Sequence, residues 1–397
     1  MRSSSKLLIH PTAAGKEAYF TAVRGSFLLR IYYFLKSVPG QLVQKLKLPW
    51  KICRVPKGRK KIFDANCIVY GKAVDTSQIE GRRVFKLSQW PQTTPLGFLF
   101  FTKKISDARL VGYGLILMDE RGYLAEEALK MCYHEDFSST TIETRFLRSK
   151  EAVRMEGKYI SLVSHWTYWK GYYHWFMDIL PRLRLRENDR RIILRDPVSS
   201  YERESLEMMG LWHLCDLVAG DHLIVEDFQF ISPTGYNCAY DADTIDFVRK
   251  EILGNKAETK HSCRERLYIT RIDERRCPAN EIEITELFRQ KGWKIVDCKK
   301  ISFREQVELF SKASHVAGSH GGAFVNLLWA SPDCKVFEFF PSNRLIASSE
   351  NIALHLGMDY NALIFPCLKP NVVIDIDWLQ EMLDLQPGSG AFSSTTH

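Results

Sequence analysis

"HVAGSHGGAFVNLLWA", residues 315–330, is the stretch from which the fold is read. A short run of small and β-branched residues ends at Ser319, and after one histidine and two glycines an almost wholly apolar run begins. A strand, a glycine turn and a buried helix make up the repeating unit of a parallel α/β sheet. The helix is expected to start at about Gly322 and to be apolar on every side except at Asn326. Paired glycines allow close backbone approach, and the unpaired amides of a first helical turn, aided by the helix dipole, suit an anion such as a diphosphate. Ser319, Gly321 and Gly322 would form that mouth, with His320 as a further donor. On this stretch alone, a glycine turn needed only for strand–helix packing is an equal reading. The spacing matches neither the dinucleotide fingerprint nor the Walker A loop, which argues against a Rossmann dehydrogenase or a P-loop kinase.

Further strands are predicted at 266–271, 293–297, 335–340 and 362–366, with helices between them. Asn280 with Glu283, and Ser302 with Glu305, form capping-box patterns, and Gly292 stops the first of these two helices. Five strands alternating with helices predict a parallel α/β domain over residues 240–366. Ligands in such domains sit beyond the carboxyl ends of the strands, here after Arg271, after Asp297, at 319–322 and after Glu338. In "YITRIDERRCPANEIE", Arg271, Arg275 and Arg276 are suited to clamp phosphate oxygens, while Asn280 and Glu281 open the next helix. Glu338 is a candidate acceptor for ribose hydroxyls, with a buried salt bridge as the alternative.

Towards the N-terminus the same texture recurs. Strands are read at 158–164, 190–195 and 222–232, and helices at 171–185 and 200–210, following short β-rich runs over 62–150. Together these define a first α/β domain over 62–235. Within "GYYHWFMDILPRL" His174 and Asp178 are four apart, so a helix puts them on one face, where they can hold a hydroxyl and accept its proton. Tyr172, Tyr173 and Trp175 offer flat surface for a sugar ring, and Pro181 kinks or ends the helix. A core helix with a satisfied His–Asp contact is the plainer reading. Two D-x-D triplets, at 241–243 and 375–377, each precede an apolar-periodic helix and read as caps rather than metal ligands.

The chain has 397 residues, enough for two domains, and its hydrophobic share of 45% is that of a globular protein. Its net charge of +8 is unevenly placed: residues 1–61 carry 14 Lys/Arg against Glu17 alone, which leaves the remainder acidic. The apolar run at 27–35 in this arm contains Arg30 and is too short to span a bilayer. Basic and aromatic residues together suit either an anionic membrane surface or packing on the arm's own domain. Nucleic acid is not expected, because no recognition motif accompanies the charge. Ten scattered cysteines and the lack of a secretory signal or transmembrane stretch predict a cytoplasmic protein with reduced thiols, and the membrane reading of the arm would make it peripheral at the inner face of the membrane. A closing helix near 374–385 and a polar tail complete the segment 367–397.

The stretches "YYHWFMDILPRL", "YITRIDERRCPANEIE" and "SFREQVELFSKASHVAGSHGGAFVNLLWASPDCKVFEFFP", in this order and spacing, resemble glycosyltransferase family 61, the group of plant xylan arabinosyl- and xylosyltransferases and related bacterial polysaccharide enzymes. The resemblance covers about residues 155–345. It implies a GT-B-like fold of two facing Rossmann-like domains with parallel sheets. It also implies inverting transfer from a nucleotide sugar, by preference a UDP-sugar, with no required metal or cofactor. By position it carries His320, Gly321 and Asn326 into the donor loop, Arg271, Arg276, Asn280 and Glu281 into the central motif, and His174, Trp175 and Asp178 into the opposite, acceptor-side domain. On this reading Asp178 is the general base with His174 orienting it, His320 is the alternative base, and Arg271 neutralises the leaving diphosphate. The acceptor is a glycan or lipid-linked glycan. A metal-dependent GT-A transferase and a non-catalytic sugar- or nucleotide-binding module are the rival classes.

Overall fold

The computed structural model describes residues 6–9, 68–70, 100–118, 152–254 and 265–384, except positions 113, 169, 233–234, 237–238, 241, 255–264, 273, 275–276, 342–345, 347, 366 and 369–370. The expected basic arm beyond residue 9, Arg275, Arg276 and the polar tail lie outside the described residues. Among the described residues no helix is long and apolar enough to cross a membrane.

In chain order the strands begin with β1 (Lys6–Ile9), β2 (Ile68–Tyr70), β3 (Phe100–Val111), β4 (Ile116–Met118) and β5 (Val153–Ser161). They continue with β6 (Arg191–Arg195), β7 (Cys215–Val218), β8 (His222–Ile231) and a two-residue hairpin, β9 (Gly235–Tyr236) and β10 (Ala239–Tyr240). Then follow β11 (Glu265–Ile269), β12 (Lys294–Val296), β13 (Ala313–Ser319), β14 (Lys335–Pro341) and β15 (Asp359–Phe365), and a second two-residue hairpin, β16 (Cys367–Leu368) and β17 (Asn371–Val372).

The second sheet has the order β1-β15-β14-β13-β11-β12 and is parallel throughout. All five strands expected from the apolar runs are present, and β1, from the N-terminal arm, adds a sixth beside β15. Both faces are covered, as the runs of buried residues require. Helices Glu281–Gln290 and Ile376–Asp384 close one face over Tyr268, Phe337, Phe339 and Leu363. On the other face lie helix Phe303–Ser311 and the 3-10 helix Gly322–Trp329. The expected start at Gly322 is observed, but the winding is tighter than an α-helix, closing through Phe324 N to Gly321 O at 3.1 Å.

The first sheet corrects the expectation of two parallel sheets. Its order is β2-β3-β8-β5-β6-β7, with β4 paired to β3. Only β8, β5, β6 and β7 run parallel, whereas β2, β3 and β4 pair antiparallel. The described strands of the β-rich region, β2, β3 and β4, therefore belong to this sheet instead of preceding it. Helix-bearing crossovers at 162–190 and 196–214 enforce parallel pairing, and β3, with no such crossover to β8, is free to pair antiparallel.

One apolar core runs between the two sheets. Phe176 stacks on Phe303 at 4.8 Å and meets Trp329 edge-on at 5.6 Å, joining the first half to the second. Helix Ser200–Met208 lies beneath, where Ser205 Oγ accepts from Trp175 Nε1 at 2.9 Å. In its first turn Glu202 is 4% exposed, with Oε2 accepting from Ser199 N and Oε1 without a partner. Burial pushes this carboxyl up to about 7, against the opposing pull of the Ser199 amide and Lys170. The folded chain thus holds a proton that the unfolded chain releases, so stability is greatest below the ordinary carboxyl range and is lost as pH rises through about 7. In urea unfolding at pH 5 and pH 8, Glu202→Gln should remove up to about 3 kcal/mol of the wild-type loss between the two pH values. Equal losses in both proteins would show that Glu202 does not titrate with folding.

Candidate active site

The carboxyl ends of β11 and β13 lie side by side, with Ile269 in register with Gly318. A Cβ at Gly318 would stand 2.8 Å from Ile269 O, so only glycine permits this approach. Gly321 is needed for a different reason. Its Cα faces the Arg271 guanidinium, and any Cβ there would overlap that group, with Cζ only 2.9 Å away. Arg271 therefore bridges the two strand ends, donating from Nη1 to His320 O at 2.6 Å and pairing through Nη2 with Glu274 at 2.6 Å. Its Nε is buried without a partner, and so is Ser319 Oγ. Native interiors rarely leave buried polar atoms unpaired, and two at adjoining strand ends mark a place made for a polar ligand. The amides of Gly322 and Ala323, ahead of the closing bond at Phe324, share this mouth. At the other end of the helix the Leu328 and Ala330 carbonyls accept from the buried Arg249.

His320 is fixed at three points. Its amide donates to Phe339 O at 2.9 Å, its ring stacks on Phe340, and Nδ1 lies 2.7 Å from Glu338 Oε1. Glu338 is fully buried and also accepts from Ser349 Oγ at 3.1 Å and Tyr360 Oη at 2.6 Å. Three donors occupy it, so it cannot reach ribose hydroxyls as expected from its strand-end position; it orients His320 instead. Among the described residues Nε2 of His320 has no hydrogen-bond partner. With Nδ1 held by the carboxylate, Nε2 is the ring nitrogen left available.

The remaining central-motif residues are supports. Glu281 is buried and accepts from Tyr268 Oη, Thr270 Oγ1 and Arg271 N at 2.8–2.9 Å, fastening the end of β11 behind Arg271. Burial pushes its carboxyl upward against those donors. Asn280 does not cap its helix through its side chain, contrary to the capping-box pattern. Its amide instead exchanges two hydrogen bonds with the Ile374 backbone, because a partner 94 residues away completes both of its polar groups. Ser302 and Glu305 do form the expected capping box. Asn326 is wholly buried, with Oδ1 accepting from Tyr172 Oη at 2.8 Å and Trp329 Nε1 at 3.0 Å, and Nδ2 donating to Gln306 at 2.8 Å. It ties the two halves together and does not face the donor mouth. Asp375 caps the last helix through Trp378 N, and Asp243 lies 3.9 Å from Arg184. Among the described residues no group of three or more His, Cys, Asp or Glu is arranged to hold a metal ion.

In the first half, the helix expected over 171–185 changes winding twice: an α-turn at Tyr172–His174, a π-turn at Trp175–Ile179 and a 3-10 segment at Leu180–Leu185. Pro181 lacks an amide and its ring clashes with the carbonyl four residues back, so the helix widens just before it. Asp178 sits in the widened turn. Its Oδ2 lies 2.5 Å from His174 Nδ1, and its Oδ1 accepts from Tyr240 Oη at 2.6 Å. Trp166 lies flat on the His174 ring at 3.7 Å, positioned by the Ser164–Thr167 turn and by Gly171, where a Cβ would crowd both Trp166 O and the imidazole. Trp175 is core, 1% exposed, and Tyr172 is committed to Asn326, so neither offers the sugar-stacking surface expected of them. Tyr173 is buried edge-on between His174 and Tyr240. Trp166 and Tyr240 escaped the sequence reading because nothing local marks them; only "SHWT", a serine-threonine turn, hinted at an ordered loop.

The two halves meet at Gly322, whose Cα faces Tyr173, where a Cβ would lie in ordinary contact 3.7 Å from the tyrosine Cβ. His174 is the next residue after one of these, and His320 precedes the other by two. Each half thus places an imidazole–carboxylate pair within two residues of this contact. The second half does so at the carboxyl ends of parallel strands, where α/β domains bind their ligands. Residues 172–337 match the family model described as Glycosyltransferase 61. These residues form a domain of glycosyltransferase 61 type, and the activity that family implies is that of a glycosyltransferase, with a sugar donor and an acceptor as substrates. A search of curated proteins gives no match to the chain.

Proposed function

We propose that this chain is an inverting, metal-independent glycosyltransferase of GT-B type that moves a sugar from a nucleotide diphosphate donor, a UDP-sugar by preference, to a glycan hydroxyl in polysaccharide or glycoconjugate synthesis. The observation that carries the reading is the pair of unpartnered buried groups, Arg271 Nε and Ser319 Oγ, beside Gly321 and the open face of His320. Diphosphate oxygens satisfy both, and a guanidinium with preorganised amides offsets the charge that grows on the leaving group.

The acceptor side follows from the second pair. Asp178 is bonded at both oxygens, to His174 and to Tyr240, which suits it to orient the imidazole. Among the described residues His174 Nε2 has no hydrogen-bond partner, so His174 is the base and Asp178 its support, the reverse of the order expected from the sequence. In the reaction the acceptor oxygen attacks the anomeric carbon as its proton passes to His174 Nε2. The carbon–oxygen bond to the diphosphate breaks on the opposite face, which inverts the centre. Asp178 stabilises the imidazolium that results. His320 hydrogen-bonds to the departing phosphate. The basic arm suits a peripheral site at an anionic membrane, near lipid-linked glycans.

A screen of UDP-sugars, read by UDP release in excess EDTA, tests this. One or more donors should be consumed only when a glycan acceptor is present, and His320→Ala should raise the donor KM. A chain that binds UDP and consumes no donor would instead be a binding module, and activity abolished by EDTA would support the metal-dependent class.

A further inference from the structure

Glu274 lies inside the donor mouth, yet its charge has the wrong sign for a ligand rich in phosphate. Its Oε2 sits 2.6 Å from Arg271 Nη2, and its Oε1 lies 3.2 Å from Lys299 Nζ. A turn holds it there, since the Glu274 amide donates to Arg271 O at 3.0 Å and its carbonyl accepts from Cys277 N at 3.1 Å. Arg271 is 9% exposed and cannot leave, pinned by His320 O and by the glycine beneath it. Lys299, by contrast, is 60% exposed and free to follow the carboxylate. We infer that Glu274 is a built-in competitor of the donor diphosphate: it occupies the Arg271 guanidinium when the mouth is empty and moves onto Lys299 when phosphate arrives.

The physical case rests on what each group has to lose. Left alone, a guanidinium this buried is an uncompensated charge, and Glu274 supplies the compensation while no ligand is bound. A diphosphate takes over that function with more charge and more acceptor oxygens. A carboxylate kept within hydrogen-bonding distance of the same nitrogen would then repel it. Glu274 has a second cation already in contact, so release does not strand it. The consequence is a donor affinity set below what the site could reach, and faster release of the nucleotide product after transfer. This inference rests on the nucleotide-donor reading of the site.

Calorimetric titration of the full chain with UDP tests it, comparing wild type with Glu274→Gln and with Glu286→Gln, which removes an exposed ion pair to Arg289 elsewhere on the surface. Glu274→Gln should bind UDP about tenfold more tightly, the scale of one well-placed charge pair. Glu286→Gln should match wild type. Thermal unfolding supplies the second measurement. If the ion pair exists only in the empty site, Glu274→Gln lowers the Tm of the free protein and leaves the Tm at saturating UDP unchanged. Equal Tm losses in both states, with unchanged affinity, would make the pair a permanent structural bridge and overturn the inference alone. Weaker UDP binding by Glu274→Gln would also overturn it, since the carboxylate would then be contacting the nucleotide. No UDP binding by wild type would instead remove the nucleotide-donor reading itself.

Discussion

His174→Ala should lower kcat by about a thousandfold while leaving UDP affinity within a factor of two or so. The size follows from the function assigned to Nε2: positioned proton acceptors contribute on the order of a hundred- to ten-thousandfold. The selectivity follows from the architecture. His174 belongs to the first half, and the groups that fit a diphosphate come from β11, β13 and the helix start at Gly322. Asp178→Asn should give a smaller fall in kcat, because an amide still reaches Nδ1 but can turn the ring to the wrong tautomer. Tyr240→Phe, which removes only the second bond to Asp178, should cost less again. Initial rates with saturating donor and acceptor, alongside UDP titration of each variant, check the series. A His174→Ala protein that retains wild-type kcat would assign the proton to His320 instead.

The second large effect is expected from the smallest change. Gly321→Ala adds one methyl where the Arg271 guanidinium lies, and the arginine has no room to yield because His320 O and Glu274 hold both of its Nη atoms. Either the guanidinium is expelled or the 318–322 loop lifts, and both outcomes separate Arg271 from His320 O. UDP affinity should fall about a hundredfold, with overpacking costing about 1–3 kcal/mol of stability. A double-mutant cycle identifies the cause. In an Arg271→Ala background the pocket is already vacated, so adding Gly321→Ala should change UDP affinity little. Additive losses would mean that Gly321 acts through the loop and not through the arginine.

Much of the second half was legible because its information is local. Five strands buried on both faces read as apolar runs, and the helix between Ser302 and Lys312 announces itself through a capping box that needs only four consecutive residues. The glycine turn after Ser319 was legible for the same reason. The sixth strand was not: four residues near the N-terminus pair with β15, some 355 positions away, and carry no pattern of their own. Asn280 shows a local rule overruled, since the side chain that should cap a helix finds two better-placed backbone partners at Ile374. Trp175 shows the opposite limit. Its spacing suited a surface platform as well as a core, and only its hydrogen bond to Ser205 and complete burial decide between them.

The histidines divide the same way. That His174 and Asp178 share a face was set by the helical repeat, and that His320 stands at a strand end was set by the apolar pattern around it. The sequence by itself determined which chemical groups gather at the carboxyl ends of the strands, because chain direction and glycine tolerance are properties of a few neighbouring residues. Which atom of each group remains available was decided by the tertiary structure. Glu338 and Trp166 reach His320 and His174 from 18 and 8 positions away and fix a tautomer and a ring plane, and Tyr240 reaches Asp178 from 62 positions away. Hydrogen bonds saturate, so a carboxylate with all its donors in place becomes a support, and the imidazole nitrogen it leaves unbonded is the one that remains available.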